Sequence, residues 1–192
     1  MKKTFFNLNR KLFATNYSTL FKYSDPSNPK VFFKVAKNNS EMGRLVFELY
    51  KNKCPLTVGN FHKICTGNND HKLTYKNTSF TRITNGFAAH GGGQILNIIG
   101  EEPSCYGGFF YDENLNLKHI KRGTLTMDNH GSDTNSSRFM ITFDETPWLD
   151  GYHVVIGELV EGDDILKEIE NNGSRDGSPK AEIKIIDCGD LL

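Results

Sequence analysis

The apolar positions of this chain fall in short runs, most of which alternate with polar residues. Val31 to Val35 and Arg44 to Leu49 are rich in β-formers, and in the second run Leu45, Phe47 and Leu49 alternate with Arg44 and Glu48. A strand with one buried face produces that period of two. The intervening Asn38-Asn39-Ser40-Glu41-Met42-Gly43 reads as a turn, so the two runs predict an opening β-hairpin. After Pro55, suited to a first helical turn, Val58, Phe61 and Cys65 share one face until Gly67, which predicts a helix. A second helix is predicted from a cap at Asp163 or Asp164, with Ile165 and Ile169 turned inward, to a stop by Gly173. Further β-rich segments run from Thr78 to Ile83, Gly123 to Met127, Phe139 to Phe143, Val154 to Leu159 and Ala181 to Cys188. Many short strands with glycine-rich connections and only two helices predict a barrel or sandwich, with the helices plugging its open ends.

Ser24-Asp25-Pro26-Ser27-Asn28-Pro29 is dense in turn formers and divides the chain into a basic arm, residues 1–29, and a domain, residues 30–192. The arm carries Lys2, Lys3, Arg10, Lys11 and Lys22, and no acid precedes Asp25. A mitochondrial presequence has that composition, and so does a basic tail with no address. The expectation is a mitochondrial location, with a cytoplasmic one as the alternative. Over the whole chain 23 Lys and Arg balance 23 Asp and Glu, which gives no reason to invoke nucleic acid or an acidic partner. No apolar run approaches the roughly 20 residues that span a bilayer. The four cysteines, Cys54, Cys65, Cys105 and Cys188, form no CxxC pair and have no histidine at zinc spacing. They are expected to be reduced and mostly buried, and neither a metal nor a cofactor is expected.

G-x-S-x-G, G-x-x-x-x-G-K-[ST] and H-E-x-x-H are all missing, which removes the support for a hydrolase, a nucleotide-binding loop and a zinc protease. Gly91-Gly92-Gly93 lacks dinucleotide-binding spacing and reads as tight backbone packing. What holds is an ordered series of strings: Phe80-Thr81-Arg82-Ile83, Asn85-Gly86-Phe87, His90-Gly91-Gly92, Gly123-Thr124-Leu125-Thr126-Met127-Asp128-Asn129, Thr134-Asn135-Ser136-Ser137-Arg138-Phe139, and Trp148-Leu149-Asp150-Gly151-Tyr152-His153-Val154-Val155. In these strings the chain resembles the cyclophilins, a family of peptidyl-prolyl cis-trans isomerases, from about Val31 to the closing Ile185-Ile186-Asp187-Cys188-Gly189 and on to Leu192.

The resemblance implies a mostly β fold, an eight-stranded antiparallel closed β-barrel capped by two α-helices, with a groove for proline-containing peptide on its outside. It implies Arg82 as the catalytic arginine, Asn129 as the residue whose backbone holds substrate, and Phe87, Leu149 and His153 as walls of the proline pocket. Trp148 matches a groove-side tryptophan associated with cyclosporin. Taken singly, such an arginine is more often a surface ion pair and such apolar residues core; their order in one chain favours the groove.

Several groove positions depart from the family. His90 and Arg138 stand where glutamines are usual, Ala88 for a methionine, Met140 for a phenylalanine and Asp128 for an alanine, and the loop Asn97-Ile98-Ile99-Gly100-Glu101-Glu102-Pro103 replaces a glycine-rich one. These changes predict a pocket of altered shape and charge, reduced isomerase activity and weakened cyclosporin binding. Asp128 and Arg138 are expected to pair across neighbouring strands, because a lone charge there would bear a desolvation cost. The rival expectation is a weakly active or non-catalytic subunit of a larger assembly, held through its basic arm.

Overall fold

The computed structural model describes residues 23–95 and 102–191. The arm up to residue 22 and most of the Asn97–Pro103 loop lie outside the described residues. Among the described residues there are eight strands, β1 (Lys30–Lys37), β2 (Ser40–Leu49), β3 (Arg82–Thr84), β4 (Ala88–Gly91), β5 (Thr124–Met127), β6 (Phe139–Thr142), β7 (Val155–Glu161) and β8 (Ile183–Asp190). Two helices join them, α1 (Pro55–Thr66) and α2 (Asp163–Asn171). The strands form one antiparallel sheet in the order β3-β4-β6-β5-β7-β2-β1-β8.

The expectation of a closed barrel is corrected here. The sheet curls, but β3 and β8 remain its edges and no ladder joins them. Across the gap stands a single isolated bridge, Ser79 to Lys184, flanked by backbone bonds from Asn77 to Ile185 at 2.7 Å and from Phe80 to Ile183 at 2.9 Å. The predicted strand over Thr78–Ile83 is thus divided: its first half leans on β8 and only its end, from Arg82, pairs with β4.

The opening hairpin turns more tightly than its polar residues imply. Asn38 and Asn39 both adopt positive φ, 48° and 69°, the combination of a two-residue I′ turn that asparagine tolerates. Pairing therefore resumes at Ser40, and β2 includes four residues predicted as turn, Ser40 to Gly43. The first helix matches its prediction and stops at Gly67, whose φ of 72° is left-handed. The second is capped differently from the expectation: its N-cap is Gly162, at φ 98°, while Asp163 and Asp164 lie in the first turn, where negative charge suits the helix dipole. Leu166 and Ile169 are its buried residues, and Ile165 is half-buried against the core.

Strand β4, Ala-Ala-His-Gly, carries no β-forming side chain and was not foreseen. Two ladders, to β3 and to β6, hold it extended. A Cβ on Gly91 would stand 2.5 Å from the Phe139 ring, and one on Gly92, at φ 80°, would collide with the Ser137 carbonyl. The glycine run therefore serves close packing, as predicted. Beneath it lies an aromatic centre in which the Phe33 ring is within 5.9 Å of Phe47, Phe61, Tyr75 and Phe139, centroid to centroid. All four cysteines are free; Cys54 and Cys65 are buried and Cys105 and Cys188 half-buried. Burial pushes the Cys54 thiol up to about 12 and Cys105 up to about 11.

Candidate functional site

Residues alternate sides along a strand, so the core positions Ile83, Ala89, Ile141 and Leu125 leave their neighbours on the outer face. There the ladder sets Arg82 opposite His90, His90 opposite Met140, and Met140 opposite Thr126. One step along the strands, Asp128 and Arg138 continue that row. The predicted site residues Arg82, His90, Asp128, Arg138 and Met140 thus fall on one face although up to 58 positions separate them.

Ala88, Met140 and Leu149 form an apolar cluster distinct from the main core, with Phe87 packed on its rim. Met140 is 2 % exposed and Leu149 8 %, so this apolar cluster is shielded from solvent by its neighbours. The Phe87 ring lies 5.9 Å from His90 and 6.1 Å from Trp148, joining two halves of the groove. Trp148, on the short 3-10 turn Pro147–Leu149, is 60 % exposed. A large aromatic left this open and laid against a pocket is available for contact with a partner molecule.

On the Trp148 side, Asn129, Gly151, Tyr152 and His153 line a shallow cleft. The Asn129 amide donates to the Tyr152 carbonyl at 2.8 Å, and its side-chain oxygen accepts from Gly131 N–H at 3.2 Å. Both ends of the side chain are thereby occupied. Its backbone N–H and C=O have no bond among the described residues. His153 donates Nδ1–H to the Met127 carbonyl at 3.0 Å, which orients its ring at the end of β5.

On the other side the charges do pair. Arg138 Nε lies 3.0 Å from Asp128 Oδ2, and its Nη1 lies 3.1 Å from Glu102 Oε1. The other Glu102 oxygen meets His130 Nε2 at 3.1 Å, and Asp128 Oδ2 also meets His90 Nδ1 at 3.2 Å. Asp128 is 7 % exposed, and burial alone would raise its carboxyl; the His90 hydrogen bond and the Arg138 charge reverse that and hold it below the ordinary carboxylate value. Glu102 lies in the loop already noted as altered, but its pairing with Arg138 was not foreseen, nor was His130 as a groove residue. Nothing in the sequence around His130 marks it, because its role depends on reaching Glu102.

Arg82 contrasts with Arg138. It is exposed, and among the described residues its side chain makes no hydrogen bond and no ion pair. Its Cγ and Nε lie over Gly177, where a Cβ would come within 2.7 Å of each. Gly177, from a loop 95 positions away in the chain, was also missed by sequence reasoning. Its guanidinium is always charged, and no carboxylate among the described residues holds it.

The family profile described as cyclophilin type peptidyl-prolyl cis-trans isomerase/CLD matches residues 32–190. The chain belongs to the cyclophilin-type isomerase family. The matched span runs from β1 through β8 and includes every groove residue described above. The family's substrates contain proline, and the pocket of Ala88, Met140 and Leu149 rimmed by Phe87 has the apolar lining that a proline ring requires. Among the described residues no helix is long and apolar enough to cross a membrane.

Proposed function

We propose that this cyclophilin catalyses cis-trans isomerisation of X–Pro bonds in peptide segments laid across the groove, at a reduced rate. The observation that carries the reading is Arg82, exposed and unpaired among the described residues, on the face that holds the apolar pocket. Rotation about the prolyl bond breaks amide resonance against a barrier of about 18–20 kcal/mol, and as conjugation is lost a lone pair develops on the prolyl nitrogen. The pocket holds the ring while Arg82 donates to that nitrogen, so the charge interaction strengthens only as the bond twists. Asn129, with its backbone N–H and C=O unused among the described residues, pairs with the peptide backbone, and His153 and Trp148 border it. No nucleophile is needed.

The reduced rate follows from how Arg82 is supported. The position across the ladder is filled by His90, whose ring is turned to Asp128, and Arg138 is engaged by Asp128 and Glu102. Each tenfold in rate corresponds to only about 1.4 kcal/mol, so looser placement of one donor is enough. The same charge network narrows the groove next to the pocket, which disfavours a bulky cyclic ligand such as cyclosporin. NMR exchange spectroscopy on a short X–Pro peptide tests the reading: the full chain accelerates exchange, and Arg82→Ala abolishes the acceleration while leaving the amide spectrum dispersed. Unchanged exchange with folded protein at high concentration would remove the isomerase reading in favour of a non-catalytic subunit.

The basic, acid-free composition of residues 1–24 supports a mitochondrial location for this activity. A fluorescent reporter carrying residues 1–30 is then imported into mitochondria. A diffuse cytosolic signal would rule the assignment out.

A further inference from the structure

We infer that the cleft beside Trp148 is a docking site for a basic side chain of the bound peptide, an arginine or lysine close to the proline in sequence, so that the groove selects positively charged substrates. The inference rests on the isomerase reading above, because the same peptide must lie in the groove. The cleft holds about 280 Å³ and shares Asn129, Trp148 and His153 with the groove. A peptide that pairs with the Asn129 backbone while its proline fills the pocket of Ala88, Met140 and Leu149 therefore passes the mouth of the cleft.

Its walls suit a cation on an apolar stem. The Trp148 and Tyr152 side chains are 60 % and 71 % exposed, and the Tyr152 ring has no partner among the described residues. Half-buried Leu115, packed on the main core, offers the aliphatic contact that the methylenes of a long basic side chain need. A guanidinium or ammonium over an aromatic face is attracted by the ring's charge distribution, and more strongly as water is excluded.

The polar groups of the cleft accept. Asp112, half-buried, lines it. Its Oδ1 accepts from the Asn135 amide at 2.7 Å, and its Oδ2 from Asp133 N–H at 3.0 Å and the Ser132 hydroxyl at 3.4 Å. All three donors are neutral, and no lysine or arginine among the described residues pairs with this carboxylate. A carboxylate has about four acceptor positions, so Asp112 keeps one position and an unmatched charge. Asp133, whose Oδ1 accepts the Asp112 N–H at 2.8 Å, is a second carboxylate with no ion pair among the described residues. His153 gives Nδ1–H to the Met127 carbonyl, which leaves the Nε2 of a neutral ring as a lone pair without a partner there. None of the described residues lining the cleft is a lysine or arginine. Across the groove the situation is opposite, because Arg138 already matches Asp128 and Glu102.

Binding to the full chain, followed by chemical-shift titration, tests the inference with two series of short X–Pro peptides. One series carries a single arginine, moved stepwise along the residues on either side of the proline. The other carries citrulline, which has nearly the same shape and no charge. At one position or two adjacent ones the arginine peptide should bind about threefold to tenfold more tightly than its citrulline partner, the range that a cation–π contact and an exposed ion pair supply together. There the Trp148 indole N–H should respond more to arginine than to citrulline, and the preference should shrink in high salt. Tyr152→Lys, which sets a fixed cation in the cleft, and Asp112→Asn, which removes the charge and keeps an acceptor for Asn135, should each reduce the preference to below about twofold. Should Asp112→Asn fail to fold, Tyr152→Lys decides, because the exposed Tyr152 ring supports no other residue described. Equal binding of the two series at every position, or a preference that persists in Tyr152→Lys, would overturn the inference. Prolyl exchange measured on the same samples separates it from the reading on which it rests. Exchange with equal affinities leaves the isomerase and removes the basic-side-chain site, whereas a preference lost in Tyr152→Lys but without exchange leaves the site and removes the isomerase. If neither series binds, both fall.

Discussion

Three histidines among the described residues face aspartates, His62 with Asp190, His90 with Asp128 and His119 with Asp150, and burial separates their consequences. His90 sits in the groove beside Asp128, whereas His119 is fully buried, with Nδ1 2.9 Å from Asp150 Oδ1 and Nε2 3.1 Å from the Thr126 hydroxyl. Burial holds the His119 imidazole below its ordinary value of 6.5, and the hydrogen bond and charge of Asp150 offset this only in part. A histidine with a depressed folded value binds its proton less readily in the native than in the unfolded chain. The resulting stability is complete above about pH 6.5 and is lost as pH falls from there through the depressed folded value. Urea unfolding midpoints of the wild type are therefore expected to decline below about pH 6.5, before carboxylates begin to protonate. His119→Gln, which keeps hydrogen-bonding groups but does not titrate, is expected to have a lower midpoint at neutral pH and a flatter profile. A wild-type midpoint that stays level down to about pH 5 would contradict this account of His119.

Helix α1 depends on a residue far away in the chain for its first turn. Its N-cap, Cys54, makes no side-chain cap, and Pro55 has no N–H to satisfy. The next two donors go to Glu113: Leu56 N–H at 3.0 Å and Thr57 N–H at 2.8 Å, with the Thr57 hydroxyl at 2.8 Å. The carboxylate also faces the positive end of the helix dipole. The same connection is pinned to α1 by Cys105 N–H on the Asn60 side chain at 2.8 Å and by the Tyr106 hydroxyl on the Leu56 carbonyl at 2.8 Å. It also carries Glu102, which reaches Arg138 in the groove. Glu113→Ala is expected to lower stability by about 1 kcal/mol, the usual worth of a lost cap, and Glu113→Gln by less. Denaturant titration measures both; equal stability of wild type and Glu113→Ala would show that the cap contributes nothing.

At the scale of the whole molecule, residues 23–29 just before β1 are part of the folded body. Glu48 on β2 is 5 % exposed and accepts from the Ser24 hydroxyl at 2.8 Å, Asp25 N–H at 2.8 Å and the Asn28 amide at 2.9 Å. Burial would raise its carboxyl, but these donors together hold it below the ordinary value. The Tyr23 ring packs against Tyr50 at 5.5 Å, adding an apolar contact. A chain beginning at residue 30 removes these donors and leaves Glu48 ionised beside the sheet. It is expected to be about 1–3 kcal/mol less stable than a chain beginning at residue 23 at neutral pH, with the gap narrowing in acid as Glu48 protonates. Identical unfolding midpoints for the two chains would show that the segment contributes nothing to the fold.

Seven of the eight strands and both helices could be read from the chain because their signals are local: alternation in Arg44–Leu49, proline then glycine around α1, and β-forming runs elsewhere. The ordered motifs around Arg82, Phe87, Asn129, Arg138, Trp148 and His153 likewise carried the family. Strand β4 was invisible, since Ala-Ala-His-Gly has no preference for extension and is held only by its neighbours. The cap on α2 was misassigned because Gly162 and the adjacent aspartates all suit a helix start, and only backbone conformation distinguishes them. The open seam between β3 and β8 depends on where pairing ends, which no single segment encodes. The Asp128–Arg138 pair was legible because two charges replaced neutral residues on one face, but its extension to Glu102 and His130 was not. Residue type and order specify which groups the groove contains; which of them are engaged, as Arg138 is, and which have no side-chain partner among the described residues, as is the case for Arg82, is decided only when the fold brings distant side chains within bonding distance.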